Sequence, residues 1–338
     1  MIGKSSLIKP RLQVESELAP SRTASVLAKA VRAALSYGLL LGLVAIALIL
    51  ASVSPTFLTR TNLLNVALQA SVVAVMAFGE TFVILTAGID LSVGSVLGLT
   101  GVVMASTTNH FGTPLGILTG LALGAMLGTV SGLFITQAKM APFIATLAML
   151  AIGRGLTYVF TNGQPILVHS PTFNFFGQGS VVDVPVPVIL MFAIFAVCWV
   201  ILTQTRFGRY VLAIGGNPEV TRLSGIPIRR YVTMVYALTG LLAAVGGLIL
   251  TARLGTGDPN GGIGYELDVI AAVVIGGTSL AGGRGSVFRT LLGALIMAVV
   301  ANGLVLLNVN PFWSQAVRGC IILVAVLADS VQRKSWYE

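Results

Sequence analysis

Four charged residues lie in or beside long apolar runs, and they are the first candidates for chemistry in this chain: Glu80, Asp90, Arg154 and Arg318. A charge near the centre of a bilayer costs about 2.5–3.5 kcal/mol on insertion scales, so each needs a partner or contact with water. A functional interpretation makes them proton relays or ligands of a small polar molecule. A structural one pairs Glu or Asp with Arg between helices, and it is favoured for Glu80, Arg154 and Arg318.

Amide side chains form a second group with usable spacing. Asn62, Asn65 and Gln69 are three and four residues apart, which places them on one face of a helix. Together with Asp90 they are candidates for a polar pathway through the apolar region. Packing amides, and an Asp90 that caps the next helix, remain open as alternatives.

The residues that enzymes and metal sites require do not form such a group. His110 and His169 are isolated, and Cys198 and Cys320 lie inside apolar runs. We find no pairing of a nucleophile with a base and no pair of carboxylates. The sequence therefore predicts no metal site and no catalytic activity in this chain.

The segment 204–230 has the most detailed local pattern. Asn217-Pro218-Glu219 is typical of a helix start, with Asn as the N-cap, Pro at the first position and Glu in the first turn. A short helix from Pro218 to about Ser224 is predicted, with Gly225 at its C-terminal end. Its Val220 and Leu223 would share one face. Such a helix can dock in a groove of a partner protein or lie on lipid.

The elements that position these residues are apolar runs, each about long enough to cross a bilayer. The chain is 56% hydrophobic and 9% charged, too few charges to cover a soluble protein of 338 residues. The sequence predicts an all-α polytopic membrane protein with about ten transmembrane helices. We place the spans at 36–53, 62–86, 92–108, 113–136, 142–161, 186–203, 231–251, 268–281, 287–307 and 312–330.

The distribution of Lys and Arg gives the predicted orientation. Of the 20 such residues, 16 fall in the N-terminal tail, in alternate loops, at the inner end of a span (Arg289) or at the C-terminus, and two, Arg60 and Arg253, fall on the other side. Because cytoplasmic loops are rich in Lys and Arg, both termini are predicted to be cytoplasmic, in a multi-pass protein of a bacterial inner membrane. The net charge of +9 follows these loops, which argues against nucleic-acid binding. The predicted domains are a tail, a transmembrane domain and a second tail, at 1–35, 36–330 and 331–338.

A weak internal repeat divides the transmembrane domain. Gly88-Ile89-Asp90-Leu91 joins two apolar runs, and Gly264-Tyr265-Glu266-Leu267 does the same in the second half. A Pro-Phe pair opens the last span of each half. Because five spans separate the copies, the halves of about 62–161 and 231–330 are predicted to have opposite orientations, as in many transporters.

Three motifs now carry a resemblance to a known family. They are Ala87-Gly88-Ile89-Asp90-Leu91-Ser92-Val93-Gly94-Ser95, Gly215-Gly216-Asn217-Pro218-Glu219 closing with Arg222-Leu223-Ser224-Gly225-Ile226, and Tyr265-Glu266-Leu267-Asp268 through Gly282-Gly283-Arg284-Gly285. In this order they resemble the permease subunits of ribose-type ABC transporters, over about residues 36–330. The chain departs from that pattern at Val220-Thr221, where the family usually has two small residues.

The resemblance implies a membrane-spanning subunit of an importer that moves a simple sugar, such as a ribose-like monosaccharide or a related polyol, by alternating access. It implies a dimer with a second permease subunit, identical or paralogous, and a periplasmic or extracellular sugar-binding protein. It also implies a separate cytoplasmic ATP-binding cassette ATPase that would hold ATP and Mg, with no cofactor in this chain. The residues implied to couple to that ATPase are Gly216, Asn217, Pro218, Glu219, Arg222, Ser224 and Gly225.

Other functions remain open at this point. A branched-chain amino-acid ABC permease belongs to the same broad superfamily. An ion-coupled secondary transporter also uses inverted repeats, but it has no need of a long cytoplasmic docking segment. A membrane scaffold without transport activity is the third alternative.

Overall fold

Helices make up most of the computed structural model, which describes residues 22–334, with side chains from Gly38 onward except at several positions of the last helix. The helices are α1 (Arg22–Val53), α2 (Arg60–Leu85), α3 (Val93–Phe111), α4 (Thr113–Thr136), α5 (Pro142–Thr161), α6 (Pro171–Gln178), α7 (Val186–Gln204), α8 (Arg206–Gly216), α9 (Pro218–Leu223), α10 (Ile228–Leu254), α11 (Tyr265–Ile275), α12 (Val287–Leu306) and α13 (Pro311–Lys334). Four two-residue strands are β1 (Ile166–Leu167), β2 (Ser180–Val181), β3 (Val184–Pro185) and β4 (Thr256–Gly257).

Six of the described helices are long and apolar enough to cross a membrane: α2, α4, α5, α7, α10 and α12. The chain is therefore an all-α polytopic membrane protein, as the composition predicts. Each of the six coincides with one of the predicted spans to within a few residues at either end. The total of ten spans stays a prediction.

The predicted span 268–281 is wrong in its extent. The helix α11 begins at Tyr265 and ends at Ile275, and residues 276–286 form turns. The physical reason is glycine: Gly277, Gly282 and Gly283 have φ of +78°, +85° and +73°, a conformation that other residues rarely adopt. At 1.5 Å per residue, α11 is about 16 Å long, roughly half of a bilayer core.

The core of the molecule is formed by α2 and α10, which pack against each other. The contacts of the first half recur in the second, with α3 against α4 and α5 in one, and α11 against α12 and α13 in the other. The helix α10 also packs on α3 and α4, and α2 packs in the same way on α11 and α12. The order of helix contacts thus follows the sequence repeat.

A row of glycines brings α4 close to α10. A Cβ at Gly124 would overlap the carbonyl oxygen of Gly240, and a Cβ at Gly240 would overlap that of Gly124. A Cβ at Gly132 would lie 2.8 Å from the Cα of Thr233. Small residues at such a crossing let two backbones approach, which is how helices associate where lipid supplies no hydrophobic force.

The connections between helices collect at two separate groups of contacts. In one group, β1 pairs with β4, Tyr158 donates a hydrogen bond to Asn260, and Arg60 forms an ion pair with Asp183. In the other group, the end of α2 meets residues 215–216 and 282–283. These are the two sets of loops that the distribution of basic residues assigns to opposite sides of the membrane.

Candidate coupling site

The short helix predicted after Asn217 is confirmed as α9. The Asn217 side chain accepts a hydrogen bond of 3.0 Å from the amide of Val220, as an N-cap does. Pro218 occupies the first helical position, and Glu219 lies in the first turn. Gly225, with φ of +79°, donates its amide to the Arg222 carbonyl and ends the helix. The Ser224 hydroxyl donates to the Val220 carbonyl at 2.9 Å.

One face of α9 is anchored and the other is open. Thr221 is buried, and its hydroxyl donates to the carbonyls of Ala213 in α8 and Asn217 at 2.9 and 2.8 Å. The side chains of Val220 and Leu223 are 57% and 75% exposed. The surface of α9 therefore presents two apolar side chains from a helix that is fixed to α8.

A charged pair lies on the same exposed helix. Arg222 donates to Glu219 at 2.6 Å, and both side chains are about two-thirds exposed. Exposed ion pairs contribute about 0–1 kcal/mol to stability. The pair therefore contributes little to the folding of α9, and both charges lie at the surface of the helix.

The helix α8 connects α9 to the transmembrane core, and no local pattern in the sequence predicts it. A Cβ at Gly215 would overlap the carbonyl oxygen of Leu85, the last residue of α2. The same carbonyl accepts a hydrogen bond of 2.9 Å from the amide of Gly283. Gly216 lies against Gly283 as well, since a Cβ on Gly283 would be 2.8 Å from the Gly216 Cα. The three sequence motifs thus meet at one backbone junction, which we call the α2–α8 junction (Leu85–Gly88, Gly215–Gly216 and Gly282–Gly283).

Glu80 and Asp90 lie next to this junction, in a group of buried polar residues. The Asp90 amide donates to Oε1 of Glu80 at 3.0 Å, and Oδ1 of Asp90 accepts from the amide and hydroxyl of Ser92 at 2.8 and 2.6 Å. Burial raises the pKa of Asp90, while the two hydrogen bonds from Ser92 lower it. Asp90 therefore holds the turn before α3 through Ser92, which is the N-cap residue of that helix, and does not itself cap α3.

Tyr236 of α10 is a member of this group that the sequence reading missed. It is fully buried, and Gly88 leaves room for its hydroxyl, because a Cβ at that position would overlap the oxygen. A tyrosine within an apolar run gives no local signal, since its neighbour Gly88 lies in the turn after α2, 148 residues earlier.

The expected pairing of Glu80 or Asp90 with Arg154 is not found among the described residues. Glu80 bonds to the Asp90 backbone instead, and Arg154 has no carboxylate within ion-pair distance in that part of the chain. The physical reason is position: Glu80 is fully buried in α2, whereas Arg154 lies half-buried on α5, which packs on α3 and α4. The side chain of Arg318 lies outside the described residues.

The three amides of α2 lie in three different environments. Asn62 is buried and exchanges two hydrogen bonds of 3.0 and 2.8 Å with Asn302 of α12. Asn65 is exposed. Gln69 lines a cavity. Equal spacing on one helix face did not produce a shared site, because the neighbouring helices cover that face unevenly.

The family and the relatives of the chain agree with the three motifs. Residues 62–326 match the family described as branched-chain amino acid transport system / permease component. The chain is 47% identical over 296 residues to the ribose import permease protein of Escherichia coli, which covers 86% of this chain and 92% of that protein. The chain belongs to the ribose-type permease family. It is also 48% identical to the ribose import permease protein of Bacillus subtilis, and 37% identical to the D-allose transport system permease protein of Escherichia coli. No match was found among solved structures.

The described residues were also searched for a metal site. They contain no group of three or more His, Cys, Asp or Glu side chains that could hold a metal ion. What distinguishes the site is a capped helix with an apolar face, joined by close backbone contacts to the ends of transmembrane helices. This arrangement can transmit a displacement, and it offers no group for covalent chemistry.

Proposed function

We propose that this chain is the membrane-spanning subunit of an ABC importer for a simple sugar. The observation that carries the proposal is α9, whose Val220 and Leu223 are exposed while Thr221 fixes it to α8. An exposed apolar pair on a capped cytoplasmic helix is the surface that a groove on an ATP-binding cassette protein would cover. ATP and Mg would be held by that partner.

The contacts at the α2–α8 junction define how a push on α9 reaches the core. Movement of α9 is passed to α8 through the Thr221 hydrogen bonds. From Gly215 it passes to Leu85 of α2 and, through the Gly283 amide, to the segment before α12. Backbone contacts without intervening side chains are stiff, so the junction moves α2 and α12 together. Alternating access then requires only that two packings of the helices be similar in free energy.

A monosaccharide of the ribose type is the proposed cargo. The relatives at 47% and 48% identity are ribose import permeases, and those at 37% and 38% are named for allose and galactose. A branched-chain amino acid is the second candidate, because the family description names it. Uptake of radiolabelled ribose and leucine by vesicles that contain the whole transporter separates the two.

A second permease subunit is proposed to cover α5. Arg154 lies twelve residues after Pro142, about 18 Å along the helix and therefore well inside the bilayer. The charge of this half-buried residue would cost about 2.5–3.5 kcal/mol if it faced lipid. A protein partner, identical or paralogous, would remove that cost.

The partner on the other side of the membrane is proposed to be a sugar-binding protein. The connection between α5 and α7 is built up there by β1, α6 and the β2–β3 hairpin, and β1 is tied to β4. An ordered surface of this kind offers a docking platform that a plain loop would not.

The proposal is tested by purifying the tagged chain with its partners in mild detergent. Leu223→Asp should release the ATPase, with at least about a thirtyfold loss of affinity if Leu223 is a central contact of about 2 kcal/mol. The matched control is Val182→Asp, which changes an apolar side chain that is 92% exposed on the β2–β3 hairpin. Retention of the ATPase by the Leu223 variant, or its loss from both variants, would contradict the coupling role of α9.

A further inference from the structure

A cavity of about 300 Å³ lies between α2, α10, α11, α12 and α13, away from the coupling site. Its polar lining consists of Gln69, Arg253, Tyr265 and Asp268. Apolar side chains, among them Met297 and Ala301, complete the wall. A few convergent polar groups in a largely apolar, concave wall are typical of small-molecule sites.

The position of the cavity along α2 separates it from the α2–α8 junction. Sixteen residues lie between Gln69 and Leu85, which is about 24 Å at 1.5 Å per residue. Arg253 is near the end of α10 and Asp268 near the start of α11, so both belong to the end of the molecule opposite the junction. A molecule that arrives from the side opposite the ATPase would meet this cavity early in its passage.

The lining chemistry favours a neutral polar ligand. Arg253 and Asp268 bring one charge of each sign, so the cavity has no net charge to attract an ion. Gln69 supplies both a donor and an acceptor, and Tyr265 adds a hydroxyl and an aromatic ring. Hydroxyl groups of a sugar both donate and accept, and the volume is at the lower end of the range of about 300–1,000 Å³ for ligand pockets, which suits one small ring.

We propose that this cavity is a transient binding site for a monosaccharide, with Gln69 and Arg253 as residues that contact its hydroxyl groups. The inference rests on the proposed sugar transport, and it adds the place and the residues at which the permease itself contacts the sugar. Asn62 and Asn65, which share a helix face with Gln69, take no part.

The first test measures ribose uptake by proteoliposomes that contain the permease, its ATPase and the sugar-binding protein. Arg253→Gln should lower uptake at least about tenfold, the loss expected when a hydrogen bond from a charged group is removed. Gln69→Ala should lower it about fivefold, the loss expected for a hydrogen bond between neutral groups. Asn65→Ala and Arg60→Gln are the matched controls, since they change an amide and an arginine outside the cavity. All four variants should still bind the ATPase in detergent, which shows that they are folded.

The second test detects the sugar without transport. Cys198 and Cys320 are replaced by Ala, and Ala301→Cys, which lines the cavity, is compared with Val305→Cys, which is 68% exposed on the same helix. The permease–ATPase complex is labelled with a membrane-impermeant thiol reagent. Ribose at about ten times its Kd should slow labelling of the Ala301 variant about elevenfold and leave the Val305 variant unchanged.

The outcomes distinguish this inference from the function on which it rests. No ribose uptake by the unaltered transporter contradicts the proposed function. If the unaltered transporter takes up ribose normally, either of two results overturns the cavity as a sugar site. One is full activity of both Gln69→Ala and Arg253→Gln. The other is that ribose does not protect Ala301→Cys from labelling. If leucine protects Ala301→Cys and ribose does not, the cavity is assigned to an amino acid. If only membrane-permeant reagents label Ala301→Cys, the cavity opens to lipid and not to water. Either of these results overturns the inference too.

Discussion

Glu219 is the residue at which folding and coupling are most easily separated. We expect Glu219→Lys to abolish sugar-stimulated ATP hydrolysis, because it reverses a charge that α9 presents to the ATPase. The free energy of unfolding should change by no more than about 1 kcal/mol, since the pair with Arg222 is exposed and a charge in the first turn contributes on that scale. The double variant Glu219→Arg with Arg222→Glu keeps the pair within α9. If it regains full ATP hydrolysis, the pair matters only inside the helix and the contact with the ATPase is contradicted.

The hydrogen-bonded amides of Asn62 and Asn302 lead to a second prediction, which concerns stability. Asn302→Leu removes the donor to Oδ1 of the buried Asn62, while Nδ2 of Asn62 keeps its bond to the Phe57 carbonyl. The unpaired oxygen should lower the free energy of unfolding by about 1–3 kcal/mol. Thermal unfolding of the purified chain in detergent measures this change. The double variant with Asn62→Leu should recover part of the loss, and Asn65→Ala, at an exposed position, should change little. An unaltered melting temperature for Asn302→Leu would argue that the pair does not hold α2 to α12.

Local sequence was sufficient for some site residues and insufficient for others. The caps of α9 could be predicted because Asn217 and Gly225 act on backbone groups within three residues of themselves. The environment of Asn62 could not, because its partner is 240 residues away. Tyr236 was missed for the same reason.

The crossing of α4 and α10 yields a prediction for whole helices. Gly124→Ala should lower stability by about 1–3 kcal/mol, because the new methyl group must displace the Gly240 backbone. Gly42→Ala on α1 is the matched control, since a Cβ there meets no atom within 4 Å and alanine favours a helix by about 1 kcal/mol over glycine. Melting temperatures in detergent should move in opposite directions. A fall of equal size in both variants would show that glycine matters for flexibility and not for close packing.

Long helices were predictable, whereas of the short ones only the capped α9 was, for a physical reason. Bilayer thickness sets the length of a span, so a run such as α10 is visible in composition alone. The helices α6 and α8 are 8 and 11 residues long and are stabilised by contacts with other segments. The end of α11 was misplaced because Gly276-Gly277 lies within a run that stays apolar.

At the scale of the molecule, the contacts organise the fold around α2 and α10, with a similar set of neighbours for each. The distribution of basic residues predicted which loops would lie together, and Leu85, Gly215 and Gly283 do meet. Sequence periodicity does not predict which side of α5 other helices cover. This helix packs on α3 and α4, and the rest of its surface carries a half-buried arginine and exposed apolar residues.

The face of α5 around Arg154 gives the last prediction, which concerns the assembly. A photoreactive benzoylphenylalanine in place of Gly155 points into open space in the single chain and should crosslink to a second permease subunit in membranes. Val197 on α7, 57% exposed, is the control position at which no protein adduct is expected. Mass spectrometry of the adduct distinguishes a second copy of this chain from a paralogue. Adducts with lipid at both positions would mean that the Arg154 face is not covered by protein. The cost of that arginine would then have to be met by water, because a bare guanidinium this deep in lipid is too expensive to persist.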